Sequence, residues 1–260
     1  MENAATAVRP RRIPLPAWVW SLVWLFVVLL GWQGLSHYKL VNPIFLSSPL
    51  EIVVSAYSLV KSGEFFEHLR QSAYVYVIGV VTGCIAGAIL GMAMGWWRRF
   101  GDIVDPYVVF FSAMPRVALY PVFIMLMGVG NLSRILIVFI GVMFPMLFNA
   151  YVGAKQTPRH LLEVARVFGY RRHQIFVRVV FPASLPYLMA GFRNGVTLGM
   201  ILVVVSEFFG APGGLGQQIA VTAQFFQTSF MYAWVLYTSL LALVFVKLTD
   251  WLERKVLWWS

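Results

Sequence analysis

Charged residues are scarce in this sequence: they make up 12% of its 260 residues, whereas hydrophobic residues make up 60%. Soluble domains carry about 25% charged residues, so this composition excludes an ordinary water-soluble protein. The apolar stretches contain no cluster of His, Asp or Glu at metal-ligand spacing, which argues against a membrane-embedded metalloenzyme. The chain also lacks a Gly-rich phosphate loop with its lysine, so any nucleotide site of that type must lie in another protein.

Cysteine is nearly absent as well, and the single Cys84 rules out an intrachain disulfide. No pair of matching halves is visible in the sequence, although many secondary carriers contain such repeats. A carrier or channel driven by ion gradients is an alternative interpretation of the chain. It predicts repeats or paired acids within the membrane, and neither feature is clear here.

Long apolar runs are what the sequence does contain. A hydrocarbon core about 30 Å thick requires roughly 20 apolar residues per crossing, and only a helix satisfies its own backbone there. The sequence predicts spans at residues 17–36, 71–97, 106–133, 135–154, from Pro186 to about Val205, and at 229–246. We therefore expect an all-α, polytopic bundle of about six transmembrane helices. It would form one domain from residue 17 to 260, behind a tail of residues 1–16.

The net charge of +10 is carried mostly by loops between these spans. If the N-terminus is inside, most of the 20 Lys and Arg lie on or near the cytoplasmic side, as the positive-inside rule requires. Both termini are therefore predicted to be cytoplasmic, in a bacterial inner membrane. Nucleic acid is not an expected partner, since that would need a basic face on a soluble module. The first span lacks an Ala-x-Ala cleavage site and is expected to remain uncleaved.

Two features suggest how the helices are arranged. Ser48 and Pro49 are typical of an N-cap and a first helical residue, so a short external helix should follow and end near Gly63. The second span has a glycine at every fourth position, which lets another helix approach closely. These glycines are Gly79, Gly83, Gly87, Gly91 and Gly95. Packing within the bundle is the first interpretation, and contact with another subunit is the alternative.

The basic segment from about residue 151 to 193 contains helix signals that a plain linker would not need. Thr157 and Pro158 are typical of an N-cap and a first helical residue. A helix of about ten residues would run to Phe168, followed by Gly169 in the left-handed conformation. Leu161, Ala165 and Phe168 would share one face. A second short helix should run from about Arg171 to Val179 and stop before Pro182. Such helices suit a groove in a soluble partner, or else the surface of membrane lipid.

Three elements of this segment resemble the cytoplasmic-loop signature of ABC importer permeases. They are Glu163-Val164-Ala165, Gly169, and Val179-Val180-Phe181-Pro182. The spacing fits at every element, and the departures from the signature are apolar replacements. Further stretches resemble the nitrate, sulfonate and taurine branch of that family. They are Leu46-Ser47-Ser48-Pro49, Pro115 to Pro121 with Gly128-Val129-Gly130, and Glu207 with Gly214-Leu215-Gly216.

The resemblance covers nearly the whole chain from about residue 40, and it implies a type I ABC importer permease fold. It implies a second permease copy, favoured as a homodimer, two cytoplasmic ATPases, and a periplasmic or lipid-anchored solute-binding protein. ATP and Mg would be bound by the ATPases, and this chain would hold no cofactor and no catalytic residue. The solute would be a small anion such as nitrate or a sulfonate, with other small organic solutes open as an alternative. The implied ATPase-coupling residues are Leu161, Glu163, Ala165, Phe168, Gly169 and Pro182.

Arg116 is the one charge in the predicted third span, where an ionisable side chain is costly enough to indicate a function or a buried partner. Pro115 and Pro121 flank it and should interrupt the helix, which is tolerated where backbone lines a cavity. One interpretation places Pro115, Arg116, Pro121 and Glu207 on the translocation pathway. The alternatives are a structural ion pair of Arg116 with Glu207, or a side chain that snorkels to the interface.

Overall fold

The computed structural model describes residues 17–38, 42 and 44–258, so the predicted tail of residues 1–16 lies outside the described part. All regular secondary structure in these residues is helical, as expected. The helices are, in order, Ala17–His37 (α1), Pro49–Ser62 (α2), Glu64–Trp96 (α3), Arg98–Ala113 (α4), Tyr120–Met127 (α5), Asn131–Lys155 (α6), Arg159–Val167 (α7), Arg172–Ile175 (α8), Phe181–Glu207 (α9), Leu215–Gln224 (α10) and Thr228–Val256 (α11).

Within the described residues, five helices are long and apolar enough to cross a membrane, and a bent pair makes up to six. They are α1, α3, α6, the run Arg172–Glu207, and α11. This confirms the expectation of an all-α bundle of about six spans. The side at which α3 and α6 end, next to α7, is called the α7 end below. The opposite side, where α9 ends, is called the Glu207 end.

The predicted third span is interrupted at its prolines, as expected, but it covers residues 98–127 and not 106–133. The chain forms α4, a 3-10 turn at Arg116–Leu119, and then α5, with a bend of 88° across the break. Met114 precedes Pro115 and is extended, with φ −67° and ψ 135°, because the proline ring excludes the helical conformation from the preceding residue. Pro121 then occupies the first turn of α5, where its missing N–H costs no hydrogen bond.

The helix predicted to stop before Pro182 instead continues through it. α8 passes into a π-helical turn at Phe176–Val180 and then directly into α9, so Arg172–Glu207 is one helical run. The Phe181 N–H donates to the carbonyl of Phe176, five residues back. This wider turn shifts the hydrogen-bond register just before the proline, whose ring would otherwise clash with a carbonyl of the preceding turn.

The core of the bundle is the parallel pair α3 and α6, against which α9 runs antiparallel. All five glycines of the stripe in α3 face α6 of the same chain. A β-carbon on Gly91 would lie 2.2 Å from the Leu147 carbonyl oxygen, and one on Gly79 would lie 2.6 Å from Val138. The close approach that the stripe predicts therefore occurs inside the bundle. The alternative, a subunit contact through this glycine face of α3, is wrong because α6 already covers it.

Two short helices cover the Glu207 end. α2 begins as predicted: Ser48 caps it, Pro49 opens it, and Ser48 and Glu51 form a reciprocal capping box. It ends at Gly63, whose φ of 86° is the left-handed conformation expected there. α10, which we did not predict, packs with α2 and α11 around the buried Trp234. The outward faces of α1 remain largely exposed.

Candidate functional site

The loop helix α7 lies where the sequence predicts it, but it begins differently. Its N-cap position is held by Pro158, and no side chain caps the helix. The prediction that Thr157 is the N-cap is therefore wrong, because proline fixes the backbone there and the Leu161 N–H donates to the Pro158 carbonyl. The Thr157 hydroxyl is buried instead and has no hydrogen-bond partner among the described residues.

The C-terminus of α7 is closed by a Schellman motif. Gly169 has a φ of 75°, and its N–H donates to the carbonyl of Arg166 at 2.9 Å. The Tyr170 N–H donates to the carbonyl of Ala165 at 3.0 Å, which completes the motif. Glycine is favoured here because the left-handed conformation costs most other residues about 1–2 kcal/mol. The chain direction after α7 is therefore fixed by the backbone.

The surface of α7 is divided between the bundle and the outside. Ala165 is 5% exposed and belongs to the main core, whereas Val167 and Phe168 are 87% and 77% exposed. Leu161 and Val164 are also exposed. Apolar side chains at the tip of a polar loop are costly in water and are typical of a contact surface. Glu163 stands exposed on the same short helix and has no ion pair among the described residues.

A groove of about 510 Å³ joins most of the predicted coupling residues. It lies between α7 and the start of α9, and its lining includes Leu161, Ala165, Phe168 and Pro182. Gly169 adjoins it, since the next residue, Tyr170, forms part of the wall. The Arg178 guanidinium stacks 5.4 Å from the Tyr170 ring centroid and holds the two sides together. We call this the α7 groove.

The break between α4 and α5 contains Arg116, as the flanking prolines suggested. Its guanidinium carbon lies 5.8 Å from the centre of the Phe144 ring on α6, a cation–π distance. Its Nε atom is enclosed and has no hydrogen-bond partner among the described residues. A partly buried cation with an unused donor can attract an anion. Pro115 and Pro121 stand at either side of this residue.

No ion pair joins Glu207 and Arg116 among the described residues. The predicted Arg116–Glu207 ion pair is wrong, because the partner of Glu207 is Arg134 at the start of α6, with Nη1 3.4 Å from Oε1. The Ser72 hydroxyl donates to Oε1 at 2.8 Å, and the Gly216 N–H donates to Oε2 at 2.7 Å. Glu207 has no exposed surface, so its surroundings indicate a structural role at the Glu207 end.

Further contacts make this Glu207 cluster a junction of α3, α6, α9 and α10. Arg134 donates to the Gly213 carbonyl at 2.9 Å and to the side chain of Asn131. Ser72 also accepts from the Leu215 N–H at 2.8 Å. Gly214 has a φ of 126°, and a β-carbon there would lie 2.3 Å from the Glu207 carboxylate. Sequence reasoning missed Ser72 and Arg134, and the only signal was a charge in the first turn of a span.

Arg193 interrupts the predicted fifth span, and the structure gives it partners on α11. Its Nη2 lies 2.8 Å from Asp250 Oδ1, and its Nη1 lies 3.5 Å from Glu253 Oε2. All three side chains are partly exposed at the α7 end. The two carboxylates therefore lower the free-energy cost of placing the Arg193 charge in this span.

Comparison with known proteins places this architecture in a family. Residues 79–258 match the family described as the binding-protein-dependent transport system inner membrane component. A permease of Bacillus subtilis strain 168 named for aliphatic sulfonate transport, SsuC, is 32% identical over 93% of this chain and 88% of its own. The taurine transport permease TauC of Escherichia coli K12 is 24% identical over 92% of this chain and 89% of its own.

Solved structures show the same fold at low identity. A chain of the inward-facing MetNI methionine ABC transporter aligns with a TM-score of 0.64 and 19% identity, over 74% of this chain and 95% of that chain. A chain of an amino acid ABC transporter solved with histidines aligns with a TM-score of 0.62 and 17% identity, over 76% of this chain and 97% of that chain. These alignments concern the fold alone.

Proposed function

The chain belongs to the family of binding-protein-dependent transport system inner membrane components, and we propose that this ABC importer permease carries a small anionic solute into the cytoplasm. It is a multi-pass membrane protein and a transport subunit. The finer proposal concerns its motor, its pathway and its solute. The observation that carries the motor proposal is the α7 groove, with an exposed apolar tip next to a turn whose backbone is fixed by hydrogen bonds.

The motor is a pair of cytoplasmic ATPases that bind ATP and Mg, while this chain holds no cofactor. The exposed Val167 and Phe168 and the groove beside them suit insertion into a cleft of each ATPase. Closure of the two ATPases on ATP would then draw two α7 helices together. The bundle would respond by rigid-body alternation between inward-open and outward-open states. This places the α7 end and both termini in the cytoplasm, and the Glu207 end outside.

The other partners are a second copy of this chain, as a homodimer, and an external solute-binding protein. Relatives named for sulfonate and taurine transport support a small sulfonate-like or nitrate-like anion as the solute. The unused Nε donor of Arg116, at a break in the helix, gives the pathway a positive group for such an anion. The glutamate at position 207 does not share this position, so Arg116 carries the pathway proposal.

Purification tests the motor proposal. The chain is co-expressed with its ATPase and binding-protein partners, and ATPase recovery is measured. Glu163→Lys and Phe168→Asp at α7 should abolish recovery, while Lys61→Glu, at the opposite end of the bundle, should leave it unchanged. Equal recovery from all variants would overturn the α7 assignment. ATP-independent uptake by the chain alone would instead favour a carrier or channel.

Vesicle uptake tests the pathway. The complete importer is reconstituted with its binding protein, and uptake of radiolabelled taurine, ethanesulfonate and nitrate is measured with ATP. Arg116→Gln should abolish uptake, because the buried cation is lost, while complex assembly and basal ATP hydrolysis persist. Arg116→Lys, which retains the charge, should keep part of the uptake. Normal uptake by Arg116→Gln would contradict the pathway role.

A further inference from the structure

A second cavity, of about 700 Å³, lies between α7 and the ends of α3 and α6, and it is strongly basic. Its lining residues include five cations and no carboxylate. The cations are Arg98, Lys155, Arg159, Arg166 and Arg172. Thr157 also lines it, is 6% exposed, and keeps its Oγ1 without a hydrogen-bond partner among the described residues. A buried hydroxyl of this kind is costly unless a ligand or water meets it.

Much of the positive charge in this basic cavity is uncompensated. Arg98 has a long, exposed contact of 4.0 Å with Asp102, and Lys155 donates to the Tyr151 hydroxyl. Arg159 and Arg166 form no ion pair among the described residues. Guanidinium groups match phosphate oxygens in charge and geometry. The cavity therefore complements a phosphate-bearing anion.

An apolar groove of about 440 Å³ adjoins this cavity. Trp96 lines both spaces, and the Arg172 guanidinium lies 5.5 Å from the centre of its ring. The groove runs between α3 and α9, with Ile89, Met92 and Leu188 among its lining. Ile89 is exposed on the side of α3 that would face lipid in a membrane. A hydrocarbon chain fits this groove, whereas a free phosphate would use only the basic cavity.

We propose that the chain binds one anionic phospholipid, with its phosphate in the basic cavity and an acyl chain in the apolar groove. Trp96 marks the junction of the two parts. Basic pockets between transmembrane helices are a known way of holding such headgroups. The lipid would lie behind α7, between that helix and the bundle, and so would support the position of α7 from within. This inference does not depend on the solute or on the ATPase.

Native mass spectrometry of the full chain, released from maltoside micelles, tests the proposal. Phosphatidylglycerol, phosphatidylcholine and inorganic phosphate are titrated separately. Phosphatidylglycerol should bind most tightly. The double variant Arg159→Gln/Arg166→Gln should weaken its binding about 25-fold, because each cation near a headgroup contributes a factor of about 5. The control variant Arg254→Gln/Lys255→Gln also removes two positive charges at the α7 end, but these residues line neither the basic cavity nor the apolar groove. It should change the affinity for phosphatidylglycerol little.

A third variant separates lipid from free phosphate. Ile89→Trp adds bulk to the exposed side of the groove, and it should weaken phosphatidylglycerol several-fold without affecting inorganic phosphate. The thermal unfolding midpoint of each variant in micelles shows that it is folded. The proposal is overturned if phosphatidylglycerol and phosphatidylcholine bind equally. It is also overturned if inorganic phosphate displaces the lipid completely and Ile89→Trp has no effect, because the site would then hold free phosphate.

Discussion

Arg134 and Glu207 form an ion pair from which solvent is almost completely excluded, with Nη1 and Oε1 3.4 Å apart. The pair joins α6 to α9, and Ser72 adds α3 through its hydroxyl. Because each charge was moved out of water, its stabilisation depends on its partner and on the surrounding hydrogen bonds. Removal of either partner should therefore lower the stability of the fold strongly, because the other charge would remain buried without a partner.

We expect Glu207→Ala and Arg134→Ala each to destabilise the chain by about 3–5 kcal/mol, because each leaves an unpaired buried charge. The double variant Arg134→Ala/Glu207→Ala should lose less than the sum of the two. Thermal or denaturant unfolding in micelles measures these changes, and the double-mutant cycle gives the coupling. Additive losses would show that the two side chains do not act as a pair.

Gly91→Ala should destabilise the bundle by about 1–3 kcal/mol through overpacking, since its β-carbon would lie 2.2 Å from the Leu147 carbonyl. Gly34→Ala on α1 is the matched control, because a β-carbon there meets nothing within 4 Å. Alanine favours a helix over glycine by about 1 kcal/mol, so the control should not destabilise. The unfolding midpoints of both variants are compared. Equal midpoints would argue against the close α3–α6 contact.

Gly169→Val should fray the end of α7 at a local cost of about 1–2 kcal/mol, because valine resists the left-handed backbone. Gly169→Asn should be tolerated, since asparagine adopts that conformation more readily. Hydrogen exchange of the Tyr170 amide, which donates to the Ala165 carbonyl, reports the fraying directly. Global stability should barely change because Gly169 itself is exposed and lies outside the core. Identical exchange in the two variants would count against the Schellman motif as the lock.

The capping box of α2 should make that helix sensitive to acid. The Ser47 hydroxyl and the Ser48 N–H donate to Glu51 at 2.7 and 3.1 Å, and these bonds lower the pKa of Glu51 below its ordinary value of 4.5. A lowered pKa stabilises the fold above the unfolded pKa, and this stabilisation is lost as the pH falls through the folded pKa. The side chain is exposed, so the effect should stay below about 1 kcal/mol.

Glu51→Gln should remove this acid-dependent component, and Ser47→Ala should remove part of it. Amide exchange within α2 is followed from pH 6 to pH 3, relative to the wild-type chain, with rates corrected for the intrinsic effect of pH. Protection of the Glu51 amide, which donates to the Ser48 hydroxyl, should fall with acid only where the carboxylate is present. The same pH profile in all three proteins would contradict the capping role.

Local signals predicted local structure well. The Ser48-Pro49 start and the Gly63 end of α2, and the left-handed Gly169, were predictable because each depends on backbone groups only a few residues apart. The glycine stripe predicted a close helix contact for the same reason: its period places all five positions on one face. The stripe alone did not show whether the approaching helix belongs to the same chain or to another subunit.

The incorrect predictions concern contacts between residues far apart in the chain, and positions where two features of the sequence predict different structures. Pro115 and Pro121 predicted the break around Arg116, but hydropathy averages across a bend and so gave neither its angle of 88° nor the start of α4 at Arg98. Arg134 and Glu207 are 73 residues apart, and nothing in the sequence links them. The helix stop predicted before Pro182 failed because a π-helical turn can accommodate a proline within a continuing helix.

That π-helical turn joins α8 and α9 into one long, continuous helix. The run Arg172–Glu207 has 36 residues, or about 54 Å of helix, and it reaches from the wall of the α7 groove to the buried ion pair at the other end. A force on the groove is thus applied to one end of a stiff rod whose far end is clamped. The π-helical turn at Phe176–Val180 lies near the groove end of this rod, so the groove wall and the buried ion pair belong to one continuous helix.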